Sequence, residues 1–147
     1  MVIDDLYDAD FYTWSLRQAE AVRRRSANEL DWDNLAEELD ALSRSEVRGL
    51  FSRYAVLLQH LLKWMVQPEG RGRSWRNSIA NQRDAIARHI EQNPGLKAKE
   101  ADEFAAAYTA ARREASTETD LDLDAFPEAP PFTMDEAKNP DFWPEAA

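Results

Sequence analysis

Thirteen consecutive residues, Tyr54 to Val66 (YAVLLQHLLKWMV), hold only three clearly polar side chains, Gln59, His60 and Lys63, and run into the breaker Pro68-Glu69-Gly70-Arg71-Gly72. An apolar run that covers most of a helix's circumference belongs in the middle of a packed bundle. The run is too short to span a bilayer, which takes ~20 predominantly apolar residues, and it carries a lysine and a histidine besides. It therefore predicts an all-α chain with a buried central helix and no membrane span.

That helix extends backwards. Asp31 or Asp33 can open it, and Leu35, Leu39 and Leu42 continue through Leu50, Tyr54, Leu57 and Leu61 at spacings of three, four and eight. Unbroken from Asp33 to Val66, it would be ~50 Å long at 1.5 Å per residue. Gly49 at its middle is a place for a bend, since glycine weakens a helix interior by ~1 kcal/mol. Before it, Asp8 or Asp10 can cap a first helix with Phe11, Trp14, Leu16, Ala19 and Val22 on its inner side and Arg23, Arg24 and Arg25 at its end, where cations suit the helix dipole. After it, Ser74 is a good N-cap for a third helix with Trp75, Ile79, Ile86 and Ile90 on one face, stopped by Asn93-Pro94-Gly95. A fourth spans about Lys97 to Glu118, with Ala101, Phe104, Ala105, Tyr108, Ala111 and Ala115 inward.

Residues 119–147 change character: five prolines, no long apolar period, and a Thr133-Met134-Asp135-Glu136 capping box. Phe126, Phe132, Phe142 and Trp143 are spaced like anchors pinning an extended tail onto the bundle. The expectation is one helical domain over 1–147: a bundle of four main helices at 8–118 with one long central helix, and an extended C-terminal tail at 119–147. A chain of this length buries enough surface to fold without staples.

The chain has no cysteine, so disulfides, thiolate metal sites and cysteine nucleophiles are excluded. Met1 is followed by Asp4, Asp5, Asp8 and Asp10, with no basic segment and no apolar stretch. That pattern predicts no secretory leader and a cytoplasmic location. The net charge of −10 is uneven: residues 1–43 hold four cations against eleven carboxylates, 44–97 ten against four, and 98–147 four against thirteen. A basic middle between acidic flanks is either an anion surface or a patch that the flanks neutralise. The overall acidity disfavours nucleic acid, whose binding depends on phosphate neutralisation.

Several words along the chain carry a resemblance. Asp10-Phe11-Tyr12-Thr13-Trp14, Leu30-Asp31-Trp32-Asp33-Asn34-Leu35-Ala36-Glu37-Glu38 and His60-Leu61-Leu62-Lys63-Trp64 are followed by Gln67-Pro68, Ser74-Trp75-Arg76, Gln82-Arg83, Asn93-Pro94-Gly95-Leu96 and Phe126-Pro127-Glu128. Over residues 8–143 the chain resembles a bacterial domain-of-unknown-function family, number 29 in its series. It departs at Gly95, where Ser is more usual, and in the Ala-rich fourth helix. The resemblance implies an all-helical fold and brings no established activity, substrate or catalytic residue.

The residues themselves offer few chemical motifs. Glu37, Glu38, His60 and His89 are the tempting metal ligands, but no H-E-x-x-H or E-x-x-H spacing links them. Glu38 and His60 would stand ~33 Å apart along one helix. No metal and no cofactor is expected. His60 reads as a hydrogen-bonded structural histidine near residues 80–84, with Asn81 or Asp84 its neighbour. No nucleophile elbow accompanies the serines, and Glu37 and Glu38 read as first-turn acids complementing the dipole. One constellation stands out where the second helix ends and the third begins: Lys63, Arg71, Arg73, Ser74, Arg76 and Arg83, flanked by Trp64 and Trp75. Cations around a helix N-terminus create an anion site. The competing expectation, and the favoured one, is that a carboxylate from residues 1–43 or 98–147 already pairs with Arg71, Arg73 or Arg76.

The leading functional expectation is a non-catalytic module that recognises an unidentified protein partner through acidic and aromatic surface, a homo-oligomer included. Second comes an enzyme or small anionic-ligand binder at the basic corner, with Lys63, Arg71, Arg73, Ser74, Trp75, Arg76 and Arg83 as its residues. Nucleic-acid binding ranks last.

Overall fold

The computed structural model describes residues 3–146, with side chains from Leu6 onward. Six α-helices lie among the described residues, and no strand: α1 (Ile3–Ala9), α2 (Phe11–Arg23), α3 (Trp32–Val66), α4 (Arg73–Gln92), α5 (Glu100–Thr119) and α6 (Met134–Lys138). Four are substantial, and the long central one is α3 with 35 residues. The all-α reading stands. The chain separates into two compact units, residues 1–45 and 46–147, with the boundary inside α3.

The second unit owes its core to the run that dominates the sequence. Leu50, Tyr54, Leu57, Leu58, Leu61 and Leu62 of α3 are fully buried, as are Ile79 and Ile86 of α4 and Ala107 and Ala115 of α5. Small side chains on α5 let its backbone approach closely, and Phe104 and Tyr108 fill the space between. The inward face of α5 is Phe104, Ala107, Tyr108, Ala111 and Ala115, whereas Ala101 and Ala105, expected inward, are exposed. The face actually buried is the one that carries both aromatics. Gly49 does not interrupt α3; a Cβ there would lie 3.2 Å from Nη1 of Arg53 and in ordinary contact, 3.4 Å, with Nε2 of His89.

Helix α4 starts at Arg73 with Gly72 as its N-cap, two residues before the expected Ser74 cap. Of the four aromatics in the tail, Phe126 and Phe132 are buried, Phe142 is half-buried and Trp143 is exposed, and the Thr133/Glu136 capping box is complete. The tail's carbonyls are claimed by side chains from the bundle: Tyr108 Oη donates to Pro127 O at 2.5 Å and Arg112 Nε to Phe126 O at 3.0 Å. The Glu100 carboxylate accepts from Tyr54 at 2.5 Å and from Lys138 at 2.8 Å. Burial, with the Glu100 bond second, pushes the Tyr54 hydroxyl pKa far up.

In the first unit Asp10 caps α2, its carboxylate accepting the Thr13 N–H at 3.0 Å. The buried face of α2 is Trp14, Gln18 and Ala21, while Phe11, Leu16 and Val22, expected inside, are about half exposed. Along α3, Leu35 is half-buried, but Leu39 and Leu42 are each 64 % exposed, contrary to the expectation that they continue the core line. Helical phase accounts for Leu42, which the eight-residue step to Leu50 sets roughly 80° round the helix, and not for Leu39, which lies only about 20° from the line of Leu50.

Candidate functional site

The seven residues expected at the basic corner separate into spoken-for and free cations. Lys63, 5 % exposed, places Nζ 2.6 Å from Glu118 Oε2 and 5.0 Å over the Trp75 ring. The Lys63 hydrogen bond is the main reason the Glu118 carboxyl titrates below its usual value. Arg83 is buried on α4 and faces the tail. Its Nε donates to Ala137 O and its Nη2 to Phe142 O, both at 2.8 Å, and Nη1 lies 3.4 Å from Pro140 O. Burial pulls its pKa below the ordinary guanidinium value. Three carbonyl oxygens converge on one guanidinium, so Arg83 holds the tail.

Arg71 donates Nε to Trp64 O at 2.6 Å and lies 5.2 Å over the Trp64 ring. Trp64 contacts Trp143 at 4.5 Å between centroids, and Arg83 lies 5.6 Å from the Trp143 ring. Arg71, Trp64, Trp143 and Arg83 thus form a row of two adjoining indoles with a guanidinium at each end, where the ring faces favour a cation. Arg73, Ser74 and Arg76 are exposed on the first turn of α4, and Trp75 is half-buried. Among the described residues no carboxylate pairs with Arg71, Arg73 or Arg76. The expected internal pairing of these three is not made among the described residues, where of the corner's cations it is Lys63 that takes a flank carboxylate. The physical reason is solvation. Arg73 and Arg76 project into water, where an ion pair adds little, whereas the buried Lys63 ammonium requires a counter-charge.

The other candidates are engaged locally. Tyr7 donates its hydroxyl to Glu38, a bond that pushes the Tyr7 pKa up to about 12. Glu37 pairs with Arg44 at 3.1 Å on the surface. His60 donates Nδ1–H to Val56 O at 2.8 Å, one turn back on its own helix, and burial lowers its pKa. Asn81 and Asp84 are exposed and Asp84 pairs with Arg88, so the expected helix-to-helix bond of His60 is replaced by an intrahelical one. His89 meets Glu46 O at 2.9 Å. Among the described residues no three His, Cys, Asp or Glu side chains gather as a metal-ligand group.

A feature that the sequence reading did not anticipate lies in the first unit. The buried Asp31 carboxylate accepts from Trp14 Nε1 at 2.9 Å and from Asn34 Nδ2 at 2.8 Å, while its N–H donates to Gln18 Oε1 at 2.8 Å. These polar pins join α2 to the start of α3 through Gln18 and Asp31, which a hydrophobic periodicity would leave outside, and through Trp14, which was expected inside. The apolar side chains consequently turn out. Phe11, Val22, Leu35 and Leu42, with small Ser15 and Ala19 between them, line an open groove of about 570 Å³ that Arg23 and Glu38 also border. Tyr7, Phe11 and Trp14 brace one end, with Tyr7 edge-on to Trp14 at 4.7 Å. Part of the signal was present: Leu35 and Leu42 lie roughly 60° and 80° round the helix from Leu50, while Trp32 and Leu39 stay nearly in line with it.

Among the described residues no helix is long and apolar enough to cross a membrane. No curated protein and no solved structure matches the chain. A family model does, over residues 6–143, nearly the whole length and the same words that carry the resemblance. The chain belongs to the family described as Domain of unknown function DUF29.

Proposed function

We propose that this chain is a protein-interaction module that works by binding rather than by chemistry, and that it docks its partner on the apolar face of residues 11–42. One observation carries the reading. Of the ten large hydrophobic side chains that stand exposed among the described residues, seven (Phe11, Tyr12, Leu16, Val22, Trp32, Leu39 and Leu42) fall in this short stretch. Three of them, Phe11, Val22 and Leu42, meet in one groove, and apolar surface gathered in this way marks a site of association. Its shape, a groove between two helices with small residues on the floor, suits an amphipathic helix. A photo-cross-linking residue placed at Leu39 or Trp32 and activated in native cells tests this. Covalent protein adducts are the expected result, and a chain recovered free of any protein adduct refutes the reading.

A second reading is supported at the start of α4. That helix has no side-chain cap and no acidic residue in its first turn, and Arg73 and Arg76 stand exposed around its free amides. Such an end suits a phosphate or carboxylate group. Saturable phosphate binding by calorimetry, lost in both Arg73→Ala and Arg76→Ala, would promote this reading above the first.

A further inference from the structure

We infer that the occupant of the α2–α3 groove is the same groove of a second copy of this chain, the two closing into a two-fold four-helix bundle. The inference rests on the interaction reading above and adds the partner's identity.

One charge borders the groove from each wall, and the two are opposite: Arg23 from α2 and Glu38 from α3. Arg17 and Arg24 line a different cleft of α2, where Arg24 pairs with Glu20 and Glu29. A foreign helix with one dominant charge would meet a side chain of its own sign at one wall or the other. Turned by a two-fold axis along the helices, a second copy sets its Glu38 against Arg23 and its Arg23 against Glu38. That is the self-complementarity an isologous interface requires.

The apolar pattern fits the same partner. Trp32, Leu35, Leu39 and Leu42 repeat at 3-4-3 spacing, the seam by which helices pack in bundles, yet Trp32, Leu39 and Leu42 are each 64 % exposed. Ser15 and Ala19 on the opposite wall are small enough to admit a neighbouring helix. One copy supplies two helices of a bundle; helical bundles of this type bury their seams with four.

Sedimentation velocity of the purified full chain across the micromolar range tests the inference. A concentration-dependent mass of twice 16.9 kDa is expected. Leu39→Asp and Leu42→Asp should each weaken association about 30-fold or more, the effect of removing a central interface anchor. Their far-ultraviolet dichroism should be unchanged, and so should their urea midpoint at dilutions where the wild type is also monomeric, because both side chains are exposed in the single chain. Arg23→Glu and Glu38→Arg should each loosen the dimer, and the double exchange should restore it. A merely structural role for either residue would give no such rescue. A mass of 16.9 kDa at every concentration overturns self-association. So does a dimer indifferent to Leu39, Leu42 and the charge exchange, since its interface is then elsewhere. If the chain is monomeric while cross-links to foreign proteins form at Leu39, the interaction reading survives and the identity of the partner proposed here fails.

Discussion

Replacing Arg83 by methionine removes the guanidinium while keeping most of the apolar stem, so the measured effect reports the polar clamp on the tail. Two of its bonds, to Ala137 O and Phe142 O, are 2.8 Å long; the 3.4 Å approach to Pro140 O is too long to count for much. A hydrogen bond to a charged group contributes about 1.5–3 kcal/mol, which brackets the pair at roughly 3–6 kcal/mol. The lower end applies, because Pro140 is exposed and Phe142 half-buried, so water can replace part of what is lost. The indole contact with Trp143, itself 38 % exposed, adds only ~0.5–1 kcal/mol. Urea denaturation of Arg83→Met should therefore show a loss of about 3 kcal/mol. Hydrogen exchange should locate it: amides of residues 137–146 should lose protection while those of residues 54–66 keep theirs. Arg83→Lys should fall between, since one ammonium cannot span carbonyls that a planar fork reaches together. A loss below ~1 kcal/mol in the methionine variant, with the tail still protected, would refute the clamp.

Three further outcomes follow from the same structure. Leu61→Ala, at a fully buried position, should lower the unfolding free energy by about 2–5 kcal/mol in chemical denaturation. A Cβ at Gly70 would lie 2.4 Å from Trp75 Cη2, so Gly70→Ala should swing that indole off Lys63, shift tryptophan fluorescence to the red and cost about 1–3 kcal/mol. An unchanged spectrum would count against the packing described for the corner. Acidification should destabilise the fold in two stages. His60 and Glu118 both have folded pKa values below their unfolded values of about 6.5 and 4.5. The stability each contributes is whole above those values and is lost as pH falls through the folded ones, His60 first. Relative to wild type, His60→Gln should flatten the urea midpoint just below pH 6.5 and Glu118→Gln that below pH 4.5.

The helices were legible in the sequence because their signals are local. An apolar run, Asp10 before Phe11, Asn93-Pro94 after Gln92 and the Thr133/Glu136 box each act within a turn or two of backbone. They determined the all-α class, the long α3 to within one residue of its start, both ends of α4 to within two and the C-terminal end of α5 to within one, while α5 begins three residues later than expected. The words shared with the family were legible for the same reason. What only the tertiary structure decided was which face of a segment is buried and which charged groups are spoken for. In α2 and early α3 the Trp14–Asp31–Gln18 hydrogen bonds joined residues 13 and 17 positions apart, and in doing so turned Phe11, Val22 and Leu42 to the outside. Arg83 read as one more cation of an anion site because its acceptors, 54 to 59 residues away, are backbone carbonyls, which every residue type provides alike. Lys63 found its carboxylate 55 residues on, at one glutamate among thirteen acidic residues in that flank. Periodicity records how a segment divides into faces. The choice of buried face belongs to partners that fold over it from afar, and their chemistry leaves no mark in the neighbouring residues.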